Sequence, residues 1–138
     1  MTLTCPGCHK VLRLRQPYPY HAGFGEEGFL YCDRDATVLT FSEFDRGFQR
    51  IIPNKVPWSL TPEDRSMVEQ SLKPCPCGGR FLFKNSAKCP HCGTVLRRGI
   101  TKDIYYIVLG KSLNASRNKL WKSLASSGST IQKRSDSR

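Results

Sequence analysis

Seven cysteines constrain this chain more than anything else in it, because six fall in close pairs: Cys5-Pro-Gly-Cys8, Cys75-Pro-Cys77 and Cys89-Pro-His-Cys92. The seventh, Cys32, stands three residues before Asp35. An odd number cannot all pair as disulfides, and C-x-x-C is the spacing with which a short turn presents two thiolates to one metal ion. The N-terminal MTLTCPGCHK lacks the basic stretch and apolar run of a secretory signal. The thiols are therefore expected to stay reduced, in a cytoplasmic protein.

A bound metal is also expected to contribute to folding. Of 138 residues, 38% are hydrophobic, while nine are proline and eleven glycine. Split into two cysteine-bearing halves, such a chain falls below the ~70–80 residues at which an apolar core suffices without a cross-link. No apolar run approaches the ~20 residues of a membrane-spanning helix, so no membrane association is expected.

Laid over each other, the two cysteine-bearing regions show one motif twice. Cys32-Asp33-Arg34-Asp35-Ala36-Thr37-Val38-Leu39 matches Cys89-Pro90-His91-Cys92-Gly93-Thr94-Val95-Leu96, which sets Asp35 where Cys92 stands. Upstream, Cys5-Pro6-Gly7-Cys8 before Val11-Leu12-Arg13-Leu14 matches Cys75-Pro76-Cys77-Gly78-Gly79 before Arg80-Phe81-Leu82-Phe83. Each copy reads as knuckle, strand, loop, knuckle and strand, a hairpin clipped at its ends. The loop is short in the second copy, Lys84 to Ala87, and long in the first, Gln16 to Gly28.

Two knuckles brought together supply the four donors of a tetrahedral zinc site. Cys75, Cys77, Cys89 and Cys92 resemble the zinc-ribbon, or rubredoxin-like, class, with a C-x-C first knuckle where C-x-x-C is usual. The resemblance covers residues 75–96 closely and 5–39 in part, and it implies architecture without function. Zinc is the expected ion, although four thiolates also suit iron. In the first copy Cys5, Cys8 and Cys32 give three thiolates. The fourth donor is Asp35, by its place in the repeat, or His21, on the long loop. His9 directly follows Cys8 and His91 lies inside a knuckle, so neither is favoured. Two zinc ions per chain are expected.

The fold class expected is a small metal-stabilised α+β protein: two zinc-ribbon β-hairpin units joined by a short helical segment, plus a basic C-terminal extension. Residues 1–40 would form the first ribbon (three Cys and one Asp), 41–73 the helical linker and 74–97 the second ribbon (four Cys). A basic strand and helix over 98–125 and a Ser-rich, disordered tail over 126–138 would follow. In the linker, Ser42 is expected to cap a helix over 43–52 that buries Phe44, Phe48, Ile51 and Ile52. Thr61-Pro62-Glu63-Asp64 starts a second helix, to about Leu72, burying Met67, Val68 and Leu72 with Trp58 nearby. Ile104 to Leu109 reads as a strand, and Asn114 as the cap of a short helix carrying Leu113, Leu120, Trp121 and Leu124 on one side.

The formal charge of +11 is segregated. Residues 97–138 hold ten Lys or Arg against Asp103 and Asp136, a net +8. The +3 left in residues 1–96 is cancelled when two zinc ions displace seven thiol protons, a change of −3. The excess therefore lies in the extension, where Arg97, Arg98, Lys102, Lys111, Arg117, Lys119 and Lys122 are candidate phosphate contacts of a nucleic-acid-associated protein. The same segment suits a second reading, an adaptor or small subunit docking on an acidic protein partner. Tyr18, Tyr20, Phe24, Phe29 and Trp121 could stack on bases but read more readily as core. Neither an enzyme nor a small-molecule substrate is expected, since the chain has no H-x-E beside a P-C-x-x-C, no H-E-x-x-H and no phosphate-cradling glycine loop.

Overall fold

The computed structural model describes residues 2–18, 25–96 and 107–123. The strands within them are β1 (Thr2–Thr4), β2 (Val11–Arg15), β3 (Glu27–Cys32), β4 (Val38–Ser42), β5 (Phe81–Leu82), β6 (Ala87–Lys88), β7 (Val95–Leu96), β8 (Ile107–Val108) and β9 (Ser112–Asn114). Two helices, α1 (Arg46–Ile51) and α2 (Pro62–Gln70), lie between β4 and β5. The strands form three sheets, in the orders β1-β2-β8, β5-β3-β4-β9 and β6-β7. All pairings are antiparallel except β4 with β9.

Sequence pattern explains where each strand sits. Val-Leu-Arg-Leu-Arg alternates, and β2 buries Leu12 and Leu14 while Val11 and Arg13 face outward. Gly-Phe-Leu-Tyr-Cys and Val-Leu-Thr-Phe are apolar almost throughout, as expected of strands covered on both faces, and β3 and β4 are buried along nearly their whole length. On one face Leu30, Cys32, Leu39 and Phe41 join Phe48, Ile52, Val68, Leu72, Phe81 and Leu120 in a core under the helices. On the other, Tyr31 and Val38 meet Leu12, Leu14, Leu96, Ile107 and Val108. The Tyr31 hydroxyl accepts a hydrogen bond from the Val108 amide at 3.2 Å, which ties the central sheet to the N-terminal one.

The helix starts follow their chemistry. At α2 Thr61 and Asp64 form the reciprocal capping box, each side chain accepting from the other's amide at 3.1 Å. One expectation on its packing fails: Met67 is 47% exposed, Val68 alone of the helix being buried. The first helix is shorter than its periodicity suggests, starting at Arg46. The Ser42 hydroxyl accepts from the Phe44 amide at 3.1 Å and makes a turn instead, which leaves Phe44 66% exposed.

The segment expected as a basic appendage is built into both cores over 107–121. Ile107 and Val108 extend the β1-β2 sheet, and β9 lies parallel to β4 with Leu39 opposite Leu113. Asn114 caps a turn and not a helix: its side-chain oxygen accepts from the amides of Ser116 and Arg117 at 3.0 and 2.8 Å. Leu120 is buried, and Trp121 packs edge-on to Phe41 at 5.8 Å, its ring filling the space over Gly47. The core reading of Trp121 is thus the right one. Residues 104–106, Leu124 and the tail over 126–138 lie outside the described residues.

Candidate metal centres

Four turns carry the candidate donors, and three of them share one geometry. In each the first cysteine's amide donates to the carbonyl five residues on, closing a hairpin: Cys5 to Lys10 at 2.9 Å, Cys32 to Thr37 at 2.9 Å and Cys89 to Thr94 at 2.8 Å. In each the amide two residues on donates to that cysteine's sulfur, from Gly7, Arg34 and His91 at 3.3, 3.3 and 3.4 Å. Cys32 to Asp35 is therefore a metal knuckle in shape, with a carboxylate where the others carry a second thiol. The fourth turn is one residue tighter, as C-x-C demands. Cys75 donates to the Gly79 carbonyl at 2.8 Å, Gly78 takes a φ of +94°, and the Gly79 amide donates to Cys77 Sγ at 3.4 Å.

The eight donors divide into two groups, Cys5, Cys8, Cys89 and Cys92 in one and Cys32, Asp35, Cys75 and Cys77 in the other. Within each group the ligand atoms lie within 4.8 Å of one another. All eight donor positions singled out from the sequence fall in one group or the other, but their partnership differs from the sequence expectation. The knuckles do not pair in chain order as one ribbon over 1–40 and another over 74–97; they nest, first with fourth and second with third. The cause is strand register. Strand β5 leaves the third knuckle antiparallel to β3, with Cys32 opposite Phe81, so the knuckle that ends β3 meets the one that precedes β5. The Asp33 amide donates to the Arg80 carbonyl at 3.0 Å, and the Arg80 amide to Asp33 Oδ1 at 2.9 Å, locking the two turns together. The outer pair closes over the second core.

Sulfur spacing fits a tetrahedral thiolate centre. Cys5 and Cys92 are 3.6 Å apart, Cys8 and Cys89 3.8 Å, and Cys32 and Cys77 3.5 Å. A tetrahedron with metal–sulfur bonds of ~2.3 Å has edges of about 3.8 Å, whereas a disulfide would bring sulfurs to ~2.05 Å. Both clusters thus have the composition and geometry to hold a metal ion. Their backbones approach too closely for larger residues: a Cβ on Gly7 would lie 2.1 Å from Thr94 Oγ1, and one on Gly79 2.5 Å from Cys32 Sγ.

Hydrogen bonds prepare the donors. Burial alone would raise Asp35, but the Thr37 amide, at 2.9 Å, and hydroxyl, with the neighbouring thiols, hold its carboxyl down at about 2. It is a carboxylate at neutral pH. The Thr94 hydroxyl, 3.0 Å from Cys92 Sγ, lowers that thiol to about 6, while burial pushes Cys75 up to about 12. Thr37 and Thr94 occupy the same place in the repeated Thr-Val-Leu, so the sequence displays both threonines without revealing that they support the donors.

Residues 1–98 match a family described as a domain of unknown function, DUF8255. The chain belongs to that family. The DUF8255 match spans all eight donors and ends before β8, so the last strands of both larger sheets lie beyond it. No curated protein and no solved structure matches the chain.

Of the candidate nucleic-acid contacts, Lys111, Arg117, Lys119 and Lys122 are exposed. Arg97, Arg98 and Lys102 lie outside the described residues, as do Tyr20, Phe24 and the alternative donor His21. Among the described residues, no helix is long and apolar enough to cross a membrane.

Proposed function

We propose that this chain is a non-catalytic, cytoplasmic zinc protein whose two nested zinc sites mount a nucleic-acid-binding surface made by its basic C-terminal segment. The observation that carries the reading is the division of eight donors into two complete sets of four. Zinc fits seven thiolates and one carboxylate in tetrahedral sets, and its binding would supply folding energy to sheets as short as these. Four protein donors at each ion leave no coordination position for an activated water, which supports a structural role over a catalytic one.

Charge supports the nucleic-acid part. With zinc bound, residues 1–96 are neutral, and Lys111, Arg117, Lys119 and Lys122 make no ion pair among the described residues. Such cations can release counterions from a phosphate backbone. The test is binding of the zinc-loaded protein to labelled duplex DNA and RNA across a salt series. Affinity should fall linearly on a log–log plot, and changing Lys111, Arg117 and Lys119 together to Gln should lower the slope on duplex DNA by up to about three. No salt-sensitive binding at low ionic strength would overturn this reading and leave the adaptor reading in its place.

A further inference from the structure

A second cationic surface lies beside the inner metal cluster and shares Lys122 with the basic segment. A cleft of about 490 Å³ opens between the end of α2, the third knuckle and the chain at Lys122. Its cations are Lys73, Arg80 and Lys122, and its apolar lining is Leu72, Pro74 and Phe81. Backbone bonds fix the main chain at these positions: Leu72 bridges to Trp121, the Lys73 amide donates to the Leu120 carbonyl at 2.7 Å, and the Lys122 amide donates to the Ser71 carbonyl at 2.8 Å. Arg80 is fixed by its amide's bond to Asp33. None of the three makes an ion pair among the described residues. The one carboxylate on the wall, Glu69, accepts from the Phe83 amide at 2.8 Å, so its charge is directed toward β5.

We infer that this cleft is a subsite for a backbone phosphate of a nucleic acid, held between Lys73, Arg80 and Lys122. The cleft has the size of a small-ligand site, within the ~300–1,000 Å³ usual for such pockets. Three cations against one engaged carboxylate select an anion. Leu72 and Phe81 are buried in the core beneath the cleft, so the contact it offers is made by the exposed cations. The inference rests on the proposed nucleic-acid reading and extends it to a definite place.

Lys73 and Arg80 lie outside residues 97–138, so their removal separates the two ideas. The experiment uses the full-length zinc-loaded protein and measures anisotropy of labelled oligothymidylate over a salt series. It compares the parent with the K73Q/R80Q protein, the zinc content of both being checked. The inference predicts that the double variant binds more weakly and loses about 1.4 from the salt slope, at ~0.7 per single-strand phosphate contact. Parent-like binding by the double variant would overturn the cleft and leave the basic segment as the nucleic-acid surface. Should the parent bind no oligonucleotide, the broader reading fails, and thymidine monophosphate titrated into the 15N-labelled protein decides the cleft alone. Shifts confined to the amides around Leu72, Lys73, Arg80, Phe81 and Lys122 would support a nucleotide-phosphate site. No shifts at millimolar ligand would overturn it.

Discussion

Cys5 and Cys92 are 87 positions apart, yet their sulfurs approach to 3.6 Å, while Cys32 and Cys77, enclosed between them, meet at 3.5 Å. An ion at the outer cluster therefore clips the first strands to the β6-β7 hairpin. An ion at the inner cluster clips the central sheet to the chain leaving α2. Nesting makes the inner site local to one sheet and the outer site dependent on the whole body being assembled.

Asp35 is the donor on which the inner site differs from a four-cysteine centre. Changing it to Ala should weaken metal retention there by at least roughly tenfold, more than loss of a group that merely supports a ligand, whereas Asp35→Cys should keep or tighten it. Competition with a chromophoric chelator measures both. Equal retention by parent and Asp35→Ala would remove Asp35 from the donor set.

Two close backbone approaches at the metal clusters give site-selective lesions. Gly79→Ala drives a methyl against Cys32 Sγ and should loosen the inner ion, while Gly7→Ala drives one against Thr94 and should loosen the outer. Each should cost about 1–3 kcal/mol of overpacking strain. Stepwise metal release, with the fast step switching between the variants, would bear this out.

The strands expected at Val11 to Leu14 and at Val38-Leu39 form, as β2 and β4, whereas β3 fills the stretch between the long loop and Cys32, where no strand is expected. The knuckles are legible too, because their shape is a local matter of spacing, glycine and the amides that face sulfur. Their partnership is not. It depends on the pairing of β5 with β3 across 50 residues, a register that two-residue strands such as Phe81–Leu82 are too short to display as a pattern. The same shortness hides β9, whereas β8 falls inside the strand expected over Ile104 to Leu109. Lys111, Arg117, Lys119 and Lys122 make that stretch look like a basic extension apart from the body, although Ile107 and Ala115 are fully buried and Leu120 is 8% exposed. Phe44 and Met67 fit helical periodicity and are exposed, Phe44 because the Ser42 turn keeps it out of α1 and Met67 because α2 buries only Val68.

Trp121 should accordingly act through stability. Trp121→Ala opens the space over Gly47 and Phe41 and should cost roughly 3–5 kcal/mol. Its buried indole N–H has no hydrogen-bond partner among the described residues, so Trp121→Phe should cost much less. Urea unfolding of both variants checks the order. A Trp121→Ala protein as stable as the parent would detach this segment from the core.

Burial pushes the Tyr31 phenol up from 10 to about 12. Its folded value is above its unfolded one, so its contribution is whole below pH 10 and disappears as pH rises through about 12. The loss should amount to roughly 2–3 kcal/mol at most. Tyr31→Phe should flatten that stretch of the stability profile while losing about 1 kcal/mol at neutral pH from the Val108 hydrogen bond. Alkaline unfolding curves for the two proteins decide it.

The nested pairing itself is tested most directly in the cadmium-substituted protein, by NMR correlation of each bound 113Cd with the β protons of the cysteines coupled to it. One cadmium should correlate with Cys5, Cys8, Cys89 and Cys92, and the other with Cys32, Cys75 and Cys77. One ion correlating with Cys5, Cys8 and Cys32, and the other with Cys75, Cys77, Cys89 and Cys92, would contradict the nested arrangement.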